Sequence, residues 1–272
     1  ALLEQAVAAT AAGHRRAMAV ARPGVTEADL EAVLGFEFRR HGAARHGYEP
    51  IVAAGENACI LHYIENCDEL RAQELVLIDA GAEVGMYTGD VTRTFPVGGF
   101  TSCQRALYDV VLRANEEAIA MTKPGVSLRD IDARARLVLA EGLVSLGLLQ
   151  GDPEELALKR PFDGMPEGHP GKAPLDRFYM HGTSHWLGSD VHDVGAYHDG
   201  KAPLCLAPGM VFTIEPGLYV PRDAHDLPEG YRGVGIRIED NILVTHDGHR
   251  NLTAMIPKHP DALESLVGSE RL

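Results

Sequence analysis

Through the first 21 residues Ala, Leu and Val return every three or four places, a spacing that predicts an opening helix. Pro23 and Gly24 then break the chain. Thr26 stands where a helix cap belongs, and Asp29, three places on, completes a capping-box pattern ahead of a second helix. The phrase returns: KPGVSLRDIDARARLVLAEGL at 123–143 echoes RPGVTEADLEAVLGFEFRRHG, with Ser127 and Asp130 in the capping roles. It too follows a helical stretch, LYDVVLRANEEAIAM, and Pro23 and Pro124 lie 101 positions apart. β-Branched and alternating segments follow each helix pair. PIVAAG, NACILHY, ELVLID and MYTGDVTRTFPV read as strands of a first half, and FYMHGTSHWLG, MVFTIEPGLYV and GVGIRIEDNILVT as strands of a second. The pattern predicts two related helix-and-strand halves of one domain. Residues 151–177, rich in Pro and Gly, exceed the ~12–15 residues of an ordinary connection, which predicts a surface excursion with a role near the site.

Composition narrows the classes. With 272 residues, 45% of them hydrophobic, the chain can bury a sizeable core, and no apolar run approaches the ~18 residues of a membrane span. A net charge of −14 argues against nonspecific nucleic-acid binding, which needs a basic surface. The opening ALLEQAVAAT lacks the basic stretch and apolar block of a secretory signal, so a cytoplasmic protein is expected. The chain opens inside its first helix, which suggests a trimmed or processed product. Cys59, Cys67, Cys103 and Cys205 form no CxxC pair, and small buried hydrophobes in a reducing compartment are expected of them.

Five residues carry the chemistry: Asp79, Asp90, His185, Glu215 and Glu239. Each sits in or at the end of an apolar, strand-like segment. Ionised carboxylates resist such places unless a cation joins them. Asp79 ends ELVLID on the face of Leu75 and Leu77, and Asp90, eleven positions on, opens the strand DVTRTFPV, so a hairpin would bring the two face to face. HGTSHWLGSDVHDVG holds His181, His185 and His192. Gly182 and Gly188 disfavour a helix and no Glu follows His181, so the HExxH zinc-site reading fails. On a strand His181 and His185 would face one side. Pro216 halts MVFTIEPGLYV directly after Glu215, leaving a carboxylate at a strand end. In GIRIEDNILVT, Arg237 and Glu239 share a face, with Arg237 placed to orient carboxylates. Four carboxylates and one imidazole suit Mn²⁺, Co²⁺ or Fe²⁺ at least as well as Zn²⁺. Two such ions about 3.5–4 Å apart can share a water and bring its pKa toward roughly 7.

DAGAEVGMYTGDVTRTFP, MHGTSHWLGSDVHDVG, TIEPGLYV and RIEDNILVT resemble the motifs of the Xaa-Pro aminopeptidases, members of the pita-bread group that also holds prolidases, methionine aminopeptidases and creatinases. The likeness runs from the first helix to about residue 258. It implies an α+β fold of two pseudo-symmetric halves with curved antiparallel sheets covered by helices. It implies two divalent ions, most often Mn²⁺, held by Asp79, Asp90, His185, Glu215 and Glu239, with Asp90 and Glu239 bridging. Glu215 would also be the general base, His192 would stabilise the tetrahedral species, and His62 and His181 would line the pocket for the proline side. Tyr219 and Arg237 would hold Asp79. The implied reaction is hydrolysis of an N-terminal Xaa-Pro bond through a hydroxide shared by the ions. The implied partners are peptides with proline in second position, with a homo-oligomer admitted. A prolidase-type dipeptidase is the alternative, and a catalytically silent, protein-binding relative a more distant one. HGTSHW with Trp186 is nearer the aminopeptidase version than the HGxGH of prolidases. Residues 1–272 read as a single catalytic domain, without the N-terminal domain that most such chains carry.

Overall fold

The computed structural model describes residues 1–158 and 171–272. Both capping boxes form in it. Thr26 Oγ1 accepts from the Asp29 amide at 3.1 Å, and Asp29 Oδ2 accepts from the Thr26 amide at 2.9 Å. Ser127 and Asp130 repeat the exchange at 3.2 and 2.9 Å. The boxes start α2 (Glu27–Arg40) and α4 (Leu128–Ser145), packed on α1 (Leu2–Val20) and α3 (Ser102–Ala120) respectively. The glycines before the caps are left-handed, Gly24 at φ 87° and Gly125 at φ 88°. Their amides donate to the carbonyls of Leu70 and Leu206, so the two helix pairs dock on their halves in the same way.

In the first half, β1 (Arg45–His46) pairs with β4 (Ala82–Val84), and β4 with β5 (Tyr87–Thr88). The main sheet is antiparallel, in the order β2 (Ile51–Ala54), β3 (Leu75–Asp79), β6 (Thr92–Pro96). β2 and β3 are apolar on both faces because both are covered, apart from Asp79 at the end of β3. Val76 and Ile78 join the main core beneath α1 and α2, while Leu77 packs with Ile51, Ala53 and Tyr219 on the other side. Asp79 continues the Leu77 face, away from the helices.

The second half adds α5 (Pro153–Ala157), the short pair β7 (His198–Asp199) and β8 (Ala202–Pro203), then β9 (Val211–Ile214), β10 (Gly217–Val220), β11 (Val234–Arg237), β12 (Asp240–Val244) and β13 (His249–Asn251). A final helix, α6, spans Pro260–Leu266. β9 and β13 flank β12, and β10 pairs with β11, all antiparallel. The two ladders are offset. Glu215 and Pro216 on one side and Ile238 and Glu239 on the other fall in the break between them. Asn115 of α3 spans that break, its Nδ2 donating to the carbonyls of Ile214 and Ile238 at 3.2 Å each.

Several expectations change. MVFTIEPGLYV and GIRIEDNILVT, each read as one strand, divide into β9 and β10 and into β11 and β12, in different sheets. NACILHY is no strand: Gly55–Cys59 forms a 3₁₀ turn and the rest is irregular. FYMHGTSHWLG runs beside β9 without becoming a regular strand. It exchanges only scattered bonds with β9, and Asp132 of α4 holds it by accepting from the Thr183 hydroxyl at 2.8 Å. Asp90 lies just before β6 rather than in it, because the chain turns through the β4–β5 hairpin first. Of the excursion at 151–177, residues 159–170 lie outside the described residues, and its flanks hold α5 and a 3₁₀ turn at Pro174–Arg177. The cysteines are free but not buried: Cys67 and Cys205 are exposed, Cys59 and Cys103 half-buried. Among the described residues no helix is long and apolar enough to cross a membrane.

Candidate metal centre

Glycine permits the first half of the site. A Cβ on Gly81 would stand 1.7 Å from the Gly89 carbonyl oxygen, so only glycine lets the chain between Asp79 and Asp90 close this tightly. Tyr48, arriving just before β2, donates its hydroxyl to Asp79 Oδ1 and lies equally near Asp90 Oδ1, both at 2.6 Å. Asn241 of β12 clamps the Asp90 backbone from the other half, accepting from its amide at 3.1 Å and donating to its carbonyl. Arg237 is buried and donates to Asp79 Oδ2 at 2.8 Å, to the Tyr219 hydroxyl at 2.9 Å and to Thr92 Oγ1 at 3.0 Å. Thr92 in turn donates to Glu239 Oε2 at 2.8 Å.

His185 gathers the remaining groups. Its Nδ1 lies 3.0 Å from the Trp186 carbonyl, which can only accept, so Nδ1 carries a proton and Nε2 faces the carboxylates. Nε2 stands 3.3 Å from Asp90, 3.4 Å from Glu215 and 3.9 Å from Glu239. Donor atoms of Asp90, His185 and Glu239 all lie within 4.8 Å of one another. His181 Nδ1 is 3.7 Å from Glu215, and its Nε2 is 2.8 Å from the Tyr219 hydroxyl. The His192 ring meets that of His185 edge-on, centroids 4.3 Å apart. His62 lines the same cavity, of about 500 Å³, with Ile51, Leu61, Ile64 and Val191 as its apolar wall. A larger cavity, about 750 Å³, opens by Leu75 at the other end of β3. Among the described residues it holds no grouped metal-ligating atoms, so chemistry rather than size picks out the smaller one.

Charge crowding shifts the acidities of these groups. Burial lifts Glu215 to about 7 despite the nearby His185 and Arg237. Burial and the Asp90 charge push Glu239 well above the carboxylate range, and burial raises Asp90 against the pull of His185. Burial alone would depress His185, but its hydrogen bond to Asp90 and the charges of Asp90 and Glu215 win and raise it to about 9. Burial and Arg237 lower His181 to about 3, which keeps it neutral. Buried carboxylates that resist ionisation around one imidazole are what a divalent cation relieves, and an oxygen-rich set with one nitrogen fits such an ion.

All five predicted ligands thus converge, and Arg237, Tyr219, His62, His181 and His192 surround them. Sequence reading missed Tyr48, which bridges the aspartates, and Asn241, which fixes Asp90. Neither stands in a periodic pattern that would single it out, and Asn241 reads as one more residue of an alternating strand.

Residues 1–246 match the model of metallopeptidase family M24. The chain is 47% identical to Xaa-Pro aminopeptidase of Escherichia coli K12, over 100% of this chain and 58% of that relative. It is 38% identical to Xaa-Pro aminopeptidase 3 of Homo sapiens, over 92% of this chain and 46% of the human protein. Among solved structures, Pseudomonas aeruginosa aminopeptidase PepP superposes with a TM-score of 0.90 at 44% identity, covering 97% of this chain and 57% of that one. Escherichia coli aminopeptidase P with the inhibitor Pro-Leu gives 0.89 at 47%, with the same coverage. The chain therefore spans under two thirds of the length of these relatives. A fold shared at this identity, together with a family match across nearly the whole chain, establishes that this protein belongs to metallopeptidase family M24.

Proposed function

We propose that this chain is the catalytic unit of an Xaa-Pro aminopeptidase with the pita-bread fold, using two divalent ions, Mn²⁺ foremost, to hydrolyse the bond before a proline in second position. The observation that carries the reading is the convergence of Asp90, His185 and Glu239 donor atoms within 4.8 Å, with Asp79 and Glu215 beside them. The 47% identity to an enzyme of that name adds to it. Residues 1–272 act in this reading as one domain, in the cytoplasm. Asp79 and Asp90 come from the first half and His185, Glu215 and Glu239 from the second, so neither half holds the ions alone.

Asp79, Asp90, His185, Glu215 and Glu239 would hold the ions. When bound, the ions activate a water and polarise the scissile carbonyl. The chain's own groups do the rest. The Glu215 carboxylate accepts the proton of the attacking water as its oxygen bonds to the carbonyl carbon. It returns that proton to the proline nitrogen as the C–N bond breaks, releasing a free amino acid and a shortened peptide. His192, whose proton affinity is lowered chiefly by partial desolvation, has an N–H to offer the developing oxyanion. His62 and His181 line the proline side. Arg237 and Tyr219 hold Asp79 and His181 in place. An Xaa-Pro amide has no N–H, and a site that works on the carbonyl and cradles the ring does not need one.

The test is a Mn²⁺ assay on Xaa-Pro-Xaa tripeptides, their Xaa-Ala-Xaa counterparts and Xaa-Pro dipeptides. Cleavage of the proline tripeptides alone is expected. Faster turnover of the dipeptides would transfer the assignment to a prolidase. Metal content well below one ion per chain, with no gain on adding Mn²⁺, would replace catalysis with a silent binding role.

A further inference from the structure

Glu27, in the first turn of α2, has no exposed surface, yet its four partners are all neutral donors. Oε1 accepts from the Ala54 amide at 2.7 Å and from Asn57 Nδ2 at 3.0 Å. Oε2 accepts from the Tyr63 hydroxyl at 2.8 Å and from the Asp68 amide at 2.9 Å. A carboxylate that merely favoured the helix N-terminus would sit in solvent. Position 128, 101 places on in the repeat and first in α4, is leucine. The capping motif therefore does not demand Glu27. What it touches is the segment 54–68, irregular after its one 3₁₀ turn, whose polar backbone needs partners from elsewhere.

That segment brings Leu61, His62 and Ile64 to the cleft, and Tyr63, one of the four donors, is the neighbour of His62. One turn along α2, Glu31 accepts from Asn66 Nδ2 at 2.9 Å. Asn66 in turn donates to the Pro50 carbonyl and accepts from the Val52 amide. The second half does the same: Asp132, 101 positions after Glu31, holds Thr183 between His181 and His185. In each half an acid on the second helix anchors the wall that carries cleft histidines. The first half has an additional, fully buried one.

We propose that Glu27 is the positioning residue that sets the His62-bearing wall of the cleft, and through it the fit of the substrate residue held there. The kinetic arm of the test rests on the peptidase reading; the exchange arm does not. Glu27→Gln keeps the shape but turns an amide donor onto two groups that also donate. KM for an Xaa-Pro-Xaa peptide is expected to rise about tenfold, with kcat changed less than about threefold and metal content unaltered. In a His62→Ala background the same substitution should leave KM nearly unchanged, because the wall no longer presents the group it positions. Amide hydrogen exchange over 54–68 should quicken about tenfold while β3 and α4 keep their protection. Tyr63→Phe removes a single donor and should show the same split at smaller size if Glu27→Gln does not fold.

Unchanged exchange over 54–68 in a folded Glu27→Gln protein would overturn the proposal. So would a KM effect that persists in full without His62, or a loss of kcat together with bound metal. Quickened exchange in a protein that cleaves no Xaa-Pro peptide would uphold the positioning role and remove only the peptidase reading.

Discussion

His185 Nε2 stands within 3.4 Å of both Asp90 and Glu215, so in the metal-free protein a proton occupies ground that the ions would take. That proton leaves near pH 9 in the folded chain and near 6.5 in the unfolded one. Between those values the folded form binds the extra proton, so this contribution is full below about 6.5 and is lost as pH rises toward 9. Glu215, raised to about 7, acts in the same direction but earlier, its contribution being lost as pH rises from the ordinary carboxylate value to about 7. Buried His14 and His181, lowered to about 4 and about 3, oppose it only below their ordinary value. The Tm of chelator-treated protein is therefore expected to fall between pH 6.5 and pH 9, by ~2–4 °C for each kcal/mol lost. Mn²⁺ should flatten the fall, since ions replace the proton. A flat profile without metal would mean that these carboxylates do not grip His185. At the same scale, Glu215→Ala should lower kcat/KM by about 10²–10⁴ and weaken metal retention, read by turnover and by metal analysis after dialysis. Normal turnover would remove Glu215 from the proton path.

Elements place these residues by where they stop. Asp79 ends β3, Glu215 follows the last residue of β9, and Glu239 falls between β11 and β12. Asp79 is still placed by its ladder, opposite Ile51 and Thr92, whereas Glu215 and Glu239 lie where the β9–β12 and β10–β11 ladders break. At the break, Pro216 withholds an N–H and Asn115 supplies bonds to the carbonyls before both glutamates. The helices are more ordinary and their caps are separable. Ser127→Ala removes the α4 cap, and urea unfolding should show a loss of ~0.5–2 kcal/mol with kcat unchanged. A fall in kcat instead would mean that the cap sets the position of the His181–His185 segment through α4.

At the scale of the molecule, β6 of the first half lies along the seam with β11 and β12 of the second. Glu239 donates its amide to Thr92, Thr94 exchanges bonds with the Arg237 backbone, and Arg93 pairs with Asp240 at 2.8 Å. Neither member of that ion pair has exposed surface, and Lys258 adds a second cation to Asp240 at 2.8 Å. Burial alone would raise Asp240, but Arg93 and Lys258 outweigh it and hold its carboxyl well below the usual range. Its contribution to stability is present above the ordinary carboxylate value and is lost as pH falls through the depressed one. Asp240→Asn should cost ~3–5 kcal/mol by leaving Arg93 buried without its partner, and should soften the acid limb of the stability profile. Denaturant unfolding from about pH 7 down to about pH 2 measures both. A loss below ~1 kcal/mol would show that the seam does not depend on this pair.

The paired capping boxes and the five residues that converge on the cleft could be read directly, because caps and acidic or imidazole side chains are local choices of residue at fixed offsets. ELVLID was equally legible as an unbroken apolar run, whereas MVFTIEPGLYV and GIRIEDNILVT, read as one strand each, divide into β9 and β10 and into β11 and β12. NACILHY carries the same apolar signal but is held by side chains of α2, Glu27 among them, and FYMHGTSHWLG by Asp132 of α4 together with a few backbone bonds along β9. No pattern along the chain encodes that, because the partners lie 36 and 51 positions away. Tyr48 and Asn241 belong to the same class. Sequence alone thus determined which groups could hold cations and that the chain is built twice. Tertiary structure decided which distant hydrogen bonds hold them in place, because a buried polar group takes whichever partner the packed halves bring within reach.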